Sequence, residues 1–218
     1  MIISFSGIDS CGKSTQIGLL ENYFNKKDIR YKNIWSRGGY TNWFEFIKRV
    51  ARKLSVGKLP PPGVNEKRTK MFENSRFQKV WLCIALLDLA RLYIVTFRLN
   101  CLLGYNIICD RYLWDTYIDF KLAFPDINLE KHILWKILGK LAVKPDVSII
   151  ITISPEESWE RSVLKKEPFS ETLEIRKERD TLYKRLIKEN KWMRAINGHD
   201  SIDNIWKKIK GIIDNDDK

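Results

Sequence analysis

At 218 residues the chain is long enough to enclose one substantial core, and a single α/β domain is the expectation. With 44% apolar and 30% charged residues it is neither a disordered nor a collagen-like sequence. The formal charge of +12 suits polyphosphate ligands; Lys and Arg are dispersed through helical segments and not gathered in one arm, so no nucleic-acid partner is expected.

In chain order, residues 2–6 form a short apolar run that ends at Gly7, and residues from Lys13 onward carry helical spacing through Ile17, Leu20 and Phe24. A second apolar run, 31–35, ends in Ser36-Arg37-Gly38-Gly39, and 43–54 read as helix. Residues 55–64 contain Pro60-Pro61-Pro62-Gly63, which cannot continue a helix and read as a loop or insertion. A long helical pattern with a break then runs from about Asn65 to Leu103, closed by Gly104 in the position that favours glycine after a helix. Within it, 80–103 approach the length of a membrane span, but Asp88, Arg91 and Arg98 interrupt them, so a buried helix and no membrane association are expected.

Residues 106–109 are a third strand, ended by Asp110-Arg111. Residues 147–153 are the cleanest strand, followed by Ser154-Pro155-Glu156-Glu157, a helix cap with Pro at the first helical position. Residues 195–196 make a short last strand, 203–213 a closing helix and 214–218 a frayed tail. Short, continuous apolar strands alternating with helices belong to a parallel sheet covered on both faces. With the phosphate-loop (P-loop) signature at residues 7–14, taken up next, the fold expected is a three-layer α/β P-loop domain over 1–213, with a five-stranded parallel sheet. Cys11, Cys83, Cys101 and Cys109 have neither metal-ligand nor disulfide-framework spacing, and residues 1–5 lack a leader pattern, so a reduced, cytoplasmic setting is expected.

Gly7-Ile8-Asp9-Ser10-Cys11-Gly12-Lys13-Ser14 satisfies G-x-x-x-x-G-K-[ST] between a strand and a helix. Such a loop turns successive backbone N–H groups inward onto phosphate oxygens, and the following helix N-terminus adds positive potential. Lys13 would reach the β- and γ-phosphates, Ser14 would ligate Mg²⁺, and Thr15 would bond a further phosphate oxygen. ATP and Mg²⁺ are the cofactors this pattern implies. Cys11 within the loop is read either as a reactive thiol protected by ATP or as a small neutral loop residue.

The loop with its Asp9 and the following Thr15-Gln16 resembles that of thymidylate kinases, G-x-D-x-x-G-K-S-T-Q. Residues 104–112, Gly-Tyr-Asn-Ile-Ile-Cys-Asp-Arg-Tyr, resemble that family's G-x-x-V-I-x-D-R-Y; 144–161 resemble its P-D to P-E-x-A-x-x-R segment, and 197–209 its closing turn and helix. The resemblance implies ATP-dependent phosphorylation of thymidine monophosphate. It implies Asp9, Arg37 and Arg111 at the acceptor phosphate, with Asp110 on Mg²⁺ or its waters; Tyr112, closing the Asp-Arg-Tyr block, and Asp115 just beyond it are candidate acceptor contacts. A helical lid over about 161–180 would supply Arg161, assisted by Lys165 or Lys166, to the transferring phosphoryl group. Arg176 and Arg179 in that segment read equally as a solvated helix face. Members of the family are commonly homodimers, a role open to the apolar helix around 80–103, although core burial explains it as well.

Three segments depart from the pattern. The family's R-E-P-G becomes Arg37-Gly38-Gly39-Tyr40, the segment after Asp-Arg-Tyr lacks the usual Tyr-Gln pair and carries Asp115 and Asp119, and Pro60-Pro61-Pro62 stands where the family has helix. These changes leave two rival readings: a kinase for another nucleoside monophosphate, sugar or alcohol, whose hydroxyls Asp115 and Asp119 would bind, and a nucleotide-dependent regulatory module.

Overall fold

The structure, a computed structural model, describes residues 1–36, 41, 43, 49, 74–166, 170–192 and 194–216. Arg37, the 43–54 helix and the proline-rich 55–64 segment lie wholly or largely outside those residues. Five strands form one parallel sheet: β1 (Ile2–Ser6), β2 (Tyr31–Trp35), β3 (Asn106–Asp110), β4 (Val147–Thr152) and β5 (Arg194–Asn197), in the order β2-β3-β1-β4-β5. All five residues of β1 are buried, whereas the edge strands β2 and β5 are mostly open. This is why the three central strands read as continuous apolar runs and β5 barely registers in the sequence.

Seven described helices and a single 3₁₀ turn (Leu129–Lys131) surround the sheet; the helices are α1 (Lys13–Lys26), α2 (Ser75–Leu102), α3 (Leu113–Ala123), α4 (Ile133–Leu141), α5 (Pro155–Leu164), α6 (Leu173–Lys188) and α7 (Ile202–Asp216). α2 contains one wide turn of π-helix at Arg91–Thr96 but runs unbroken from Ser75 to Leu102, so the break expected from sequence does not fall within these described residues. Its end is sealed as foreseen: Gly104 sits at φ 76°, and the Tyr105 amide donates to the Asn100 carbonyl at 3.0 Å. By length and composition alone α2 passes as a membrane span, but Leu82, Leu86, Leu89, Tyr93 and Phe97 pack into the central core. Leu87, Val95, Leu99 and Leu102 on the same helix are exposed.

The Ser154 hydroxyl accepts from the Glu157 amide at 3.2 Å with Pro155 in the first turn, so α5 starts at the expected cap. At the other end of the chain a correction is needed. Residues 214–216 are not a frayed tail but the last turn of α7, where Asp214 accepts from Tyr23 at 2.9 Å and Lys210 at 3.0 Å. These contacts, to α1 and to the preceding turn, hold the segment in place.

Candidate active site

The phosphate loop leaves β1 through Gly7 and enters α1 at Gly12. Gly7 has φ 137°, and a Cβ there would lie 2.4 Å from the Ile151 carbonyl oxygen and 2.8 Å from Cys11 Sγ. Gly12, at φ 101°, has open space around its Cβ position. The first glycine is therefore required by both backbone angle and packing, the second by angle alone. Ser10, also left-handed at φ 58°, completes the curl. Lys13 Nζ donates to the Gly7 and Ile8 carbonyls at 2.9 and 2.8 Å, which places its ammonium against the loop it serves.

A cleft of about 170 Å³ opens over this loop. Asp9, Ser10, Gly12, Lys13, Ser14 and Thr15 contribute from the loop and the start of α1. Asp110 and Arg111 enter from the end of β3, Trp35 from the end of β2, and Lys165 from the end of α5. All but Lys165 stand at the C-terminal edge of the parallel sheet or just beyond it, where ligands of open α/β sheets bind. Trp35, half exposed, is a cleft residue that sequence reasoning treated only as a strand end; its place at the C-terminal end of β2, the strand next to β3, is the signal that would have found it.

Arg111 is 4% exposed, sits at φ 73°, and pairs with Asp9 across the cleft. Burial pulls its pKa down, but the surrounding Tyr183, Asp9, Asp119 and Asp115 more than reverse this, so the guanidinium is held firmly charged. Asp110 behaves oppositely. Burial raises its pKa, with Lys13 and Arg111 pulling it back, and its Oδ1 has no hydrogen-bond partner among the described residues. A buried carboxylate oxygen left without a donor beside Ser14 fits a hard cation or its water shell.

Asp115 occupies a place other than the one expected from sequence. It is fully buried and accepts hydrogen bonds from Ser6 Oγ at 2.6 Å, the Tyr112 amide at 3.0 Å and Tyr183 OH at 2.5 Å. Its carboxylate also lies 3.8 Å from Arg111. The side chain ties β1, α3, α6 and Arg111 together and has no face left for an acceptor hydroxyl. Asp119 is drawn inward in the same way, 2.8 Å from Arg179, whose guanidinium also forms a fork with Glu171. Tyr112 too turns from the cleft: its ring stacks on Phe97 and its hydroxyl donates to the Val143 carbonyl.

The lid residues separate. Lys165 reaches the cleft, whereas Arg161 is held by Glu157 and extends to the Ser10 and Gly198 carbonyls at 3.5 and 3.4 Å. Lys166 is exposed in a left-handed turn and is not among the cleft residues. Arg176 and Arg179 do not form a solvated face; they are 0% and 2% exposed. Arg176 donates to Ser158, to Ser162 at 2.7 Å, to Ser170 at 2.9 Å and to the Glu171 carbonyl at 3.1 Å. Ser158 in turn donates to the Asp9 carbonyl at 2.7 Å, so the buried arginine is coupled to the phosphate loop through one hydroxyl. Cys11 is 1% exposed beneath the loop, which removes the expectation of an accessible, ATP-protected thiol.

A glycine loop on a helix N-terminus, an orphaned buried carboxylate and a second cationic grip opposite define a phosphotransferase of the P-loop mononucleotide class. A family model for thymidylate kinase matches residues 66–209. The thymidylate kinase of Caldanaerobacter subterraneus subsp. tengcongensis is 30% identical over 194 residues, covering 86% of this chain and 81% of that protein. Those of Thermosipho africanus, 28% identical over 98% of each chain, and Caldicellulosiruptor saccharolyticus, 24% identical over 97% and 95%, are similar from end to end. The chain belongs to the thymidylate kinase family and is a kinase of the nucleoside monophosphate type.

Proposed function

We propose that this kinase transfers the γ-phosphoryl group of ATP, with Mg²⁺, to the phosphate of thymidine monophosphate. The observation that carries the reading is the convergence of Arg111 and Asp9 on a cleft that the phosphate loop also lines. Donor and acceptor phosphates both need cationic partners, and here the two sets of cations face one space. Lys13 and the loop amides hold the donor phosphates, and Arg111 grips the acceptor phosphate by its planar fork. Ser14 and Asp110 would hold Mg²⁺, which supplies charge neutralisation between the donor phosphates. An acceptor phosphate oxygen bonds to the γ-phosphorus as the bond from that phosphorus to the bridging oxygen breaks, and ADP leaves with the electron pair. Lys165, the described lid cation that lines the cleft, is placed to offset charge on the phosphoryl group in flight.

The rival reading of a sugar or alcohol acceptor, drawn from the three rewritten segments, took its hydroxyl contacts from Asp115 and Asp119. Both are consumed by internal partners, so those acids do not speak for a hydroxylated acceptor. A regulatory module needs no buried arginine opposite its phosphate loop. The four free cysteines accord with the reduced cytoplasm where such a kinase would act. The test is ADP release with Mg-ATP and thymidine monophosphate, run beside uridine, cytidine and deoxyguanosine monophosphates and a set of sugar phosphates. Selective turnover of thymidine monophosphate is expected; silence with it alongside turnover of another acceptor would overturn the assignment.

A further inference from the structure

A second cavity, of about 500 Å³, shares no lining residue with the phosphate cleft. Its volume falls within the range of about 300–1,000 Å³ typical of small-molecule sites. Ser4 and Ser148 contribute from β1 and β4, Trp114 from the start of α3, Gly139 from α4, and Lys144, Lys191 and Trp192 from the two flanking loops. Two features of this wall point to a ligand. The Ser4 residue is buried to 1%, and its hydroxyl has no hydrogen-bond partner among the described residues, although it borders open volume. The described lining also holds two lysines and no carboxylate. Lys191 Nζ stands 4.8 Å over the Trp114 ring, and its carboxylate contact, Glu189 at 3.8 Å, comes from outside the lining.

We propose that this cavity is a second ligand site that takes a planar aromatic anion. The aromatic ring lies against the faces offered by Trp114 and Trp192, where ring contacts are stronger than area alone provides. The anionic group meets Lys144 and Lys191, and the Ser4 hydroxyl supplies a directional contact on the sheet. Trp192 also packs on Tyr183, ring centroids 5.7 Å apart, so the site borders the same tyrosine that braces Asp115. The inference does not depend on which acceptor the kinase uses.

The test is calorimetric titration of naphthalene-2-sulfonate into the full chain, with neutral 2-naphthalenemethanol as the comparison. Saturable binding is expected, at least about tenfold tighter for the sulfonate, because a charge-assisted contact contributes that much. Lys191→Gln should weaken sulfonate binding about tenfold by the same reasoning. Gly139→Leu should abolish it: nothing lies within 4 Å of a Cβ at Gly139, so the new side chain enters open space along the cavity wall. Lys13→Ala, which alters only the phosphate cleft, should leave it unchanged. Should Gly139→Leu melt abnormally, Lys144→Gln combined with Lys191→Gln carries the comparison. No binding to the wild type, equal binding of the neutral analogue, unaltered binding in both cavity variants, or loss in Lys13→Ala would each overturn the proposal.

Discussion

The guanidinium of Arg111 pairs with the carboxylate of Asp9, joining the end of β3 to the loop that follows β1. Arg111 is thereby part of the fold as well as part of the cleft. Removing one partner of a largely buried pair strands the other charge. Arg111→Ala should therefore lower unfolding stability by about 3 kcal/mol and reduce kcat/KM for the acceptor by about 100-fold or more. Arg111→Lys should recover much of the stability and little of the acceptor use, since an ammonium lacks the fork. Urea denaturation and steady-state kinetics with ATP held saturating separate the two effects.

Lys13 touches only loop carbonyls and the Cys11 sulfur among the described contacts. Lys13→Ala should cut kcat by about 100- to 1,000-fold, the loss expected for one well-placed charge donor. Its melting temperature should stay close to that of the wild type. Near-normal turnover would remove Lys13 from the mechanism.

Asp110 carries a pH signature. Its folded pKa lies above the ordinary carboxylate value because of burial, so the native state holds a proton that the unfolded chain has released over that interval. Stability from this residue is complete below the ordinary value and declines as pH rises through the raised one. Asp110→Asn should remove that decline, leaving the variant relatively more stable at neutral pH and equal to the wild type in acid. Its Mg²⁺-dependent turnover should fall by about 10- to 100-fold, as for other residues that support a metal site. Thermal melts across pH, paired with Mg²⁺ titrations of activity, read both outcomes.

Gly7 and Gly12 offer an internal comparison. Gly7→Ala adds a Cβ within 2.4 Å of a backbone oxygen as well as an unfavourable φ, whereas Gly12→Ala adds only the φ cost. The first substitution should lower the melting temperature clearly more than the second. Equal losses would mean that backbone angle, not the packing of the loop against β4, decides the glycine.

The buried Arg176 has three serine hydroxyls and one carbonyl as its partners. Arg176→Met keeps the volume but leaves those groups without a donor, and should cost about 2–4 kcal/mol. Ser158→Ala should cost about 1 kcal/mol, yet disturb turnover more than its stability loss implies, because Ser158 also holds the Asp9 carbonyl. Chemical denaturation with parallel activity measurements distinguishes these variants.

The phosphate loop and the central strands were legible because local chemistry determines them: glycines at forced angles, and strands buried on both faces. Partners distant in sequence were not. Asp115 meets Tyr183, 68 positions on, and Ser6, 109 positions back. Nothing in the run around Asp115 announces either contact, so the residue read as a free acid beside an acceptor. Arg176 and Arg179 read as a wet helix face because their covering groups, Ser158, Ser162 and Asp119, belong to other helices. α3 was missed as an element for a related cause. Its outward turn is nearly as apolar as its inward one, with buried acids where a helical pattern leads one to expect solvent.

The knot around Asp115 has a practical corollary for anyone who wishes to redirect this kinase to a foreign acceptor. Varying positions 115 and 119 would unfasten several elements at once, so a library that includes them would consist mostly of unfolded members. Trp35 and Lys165 line the same cleft from strand and helix ends, without a comparable set of internal ties. Diversity placed at Trp35, with Lys165 kept for the transferring phosphoryl group, would sample new specificities while sparing the frame.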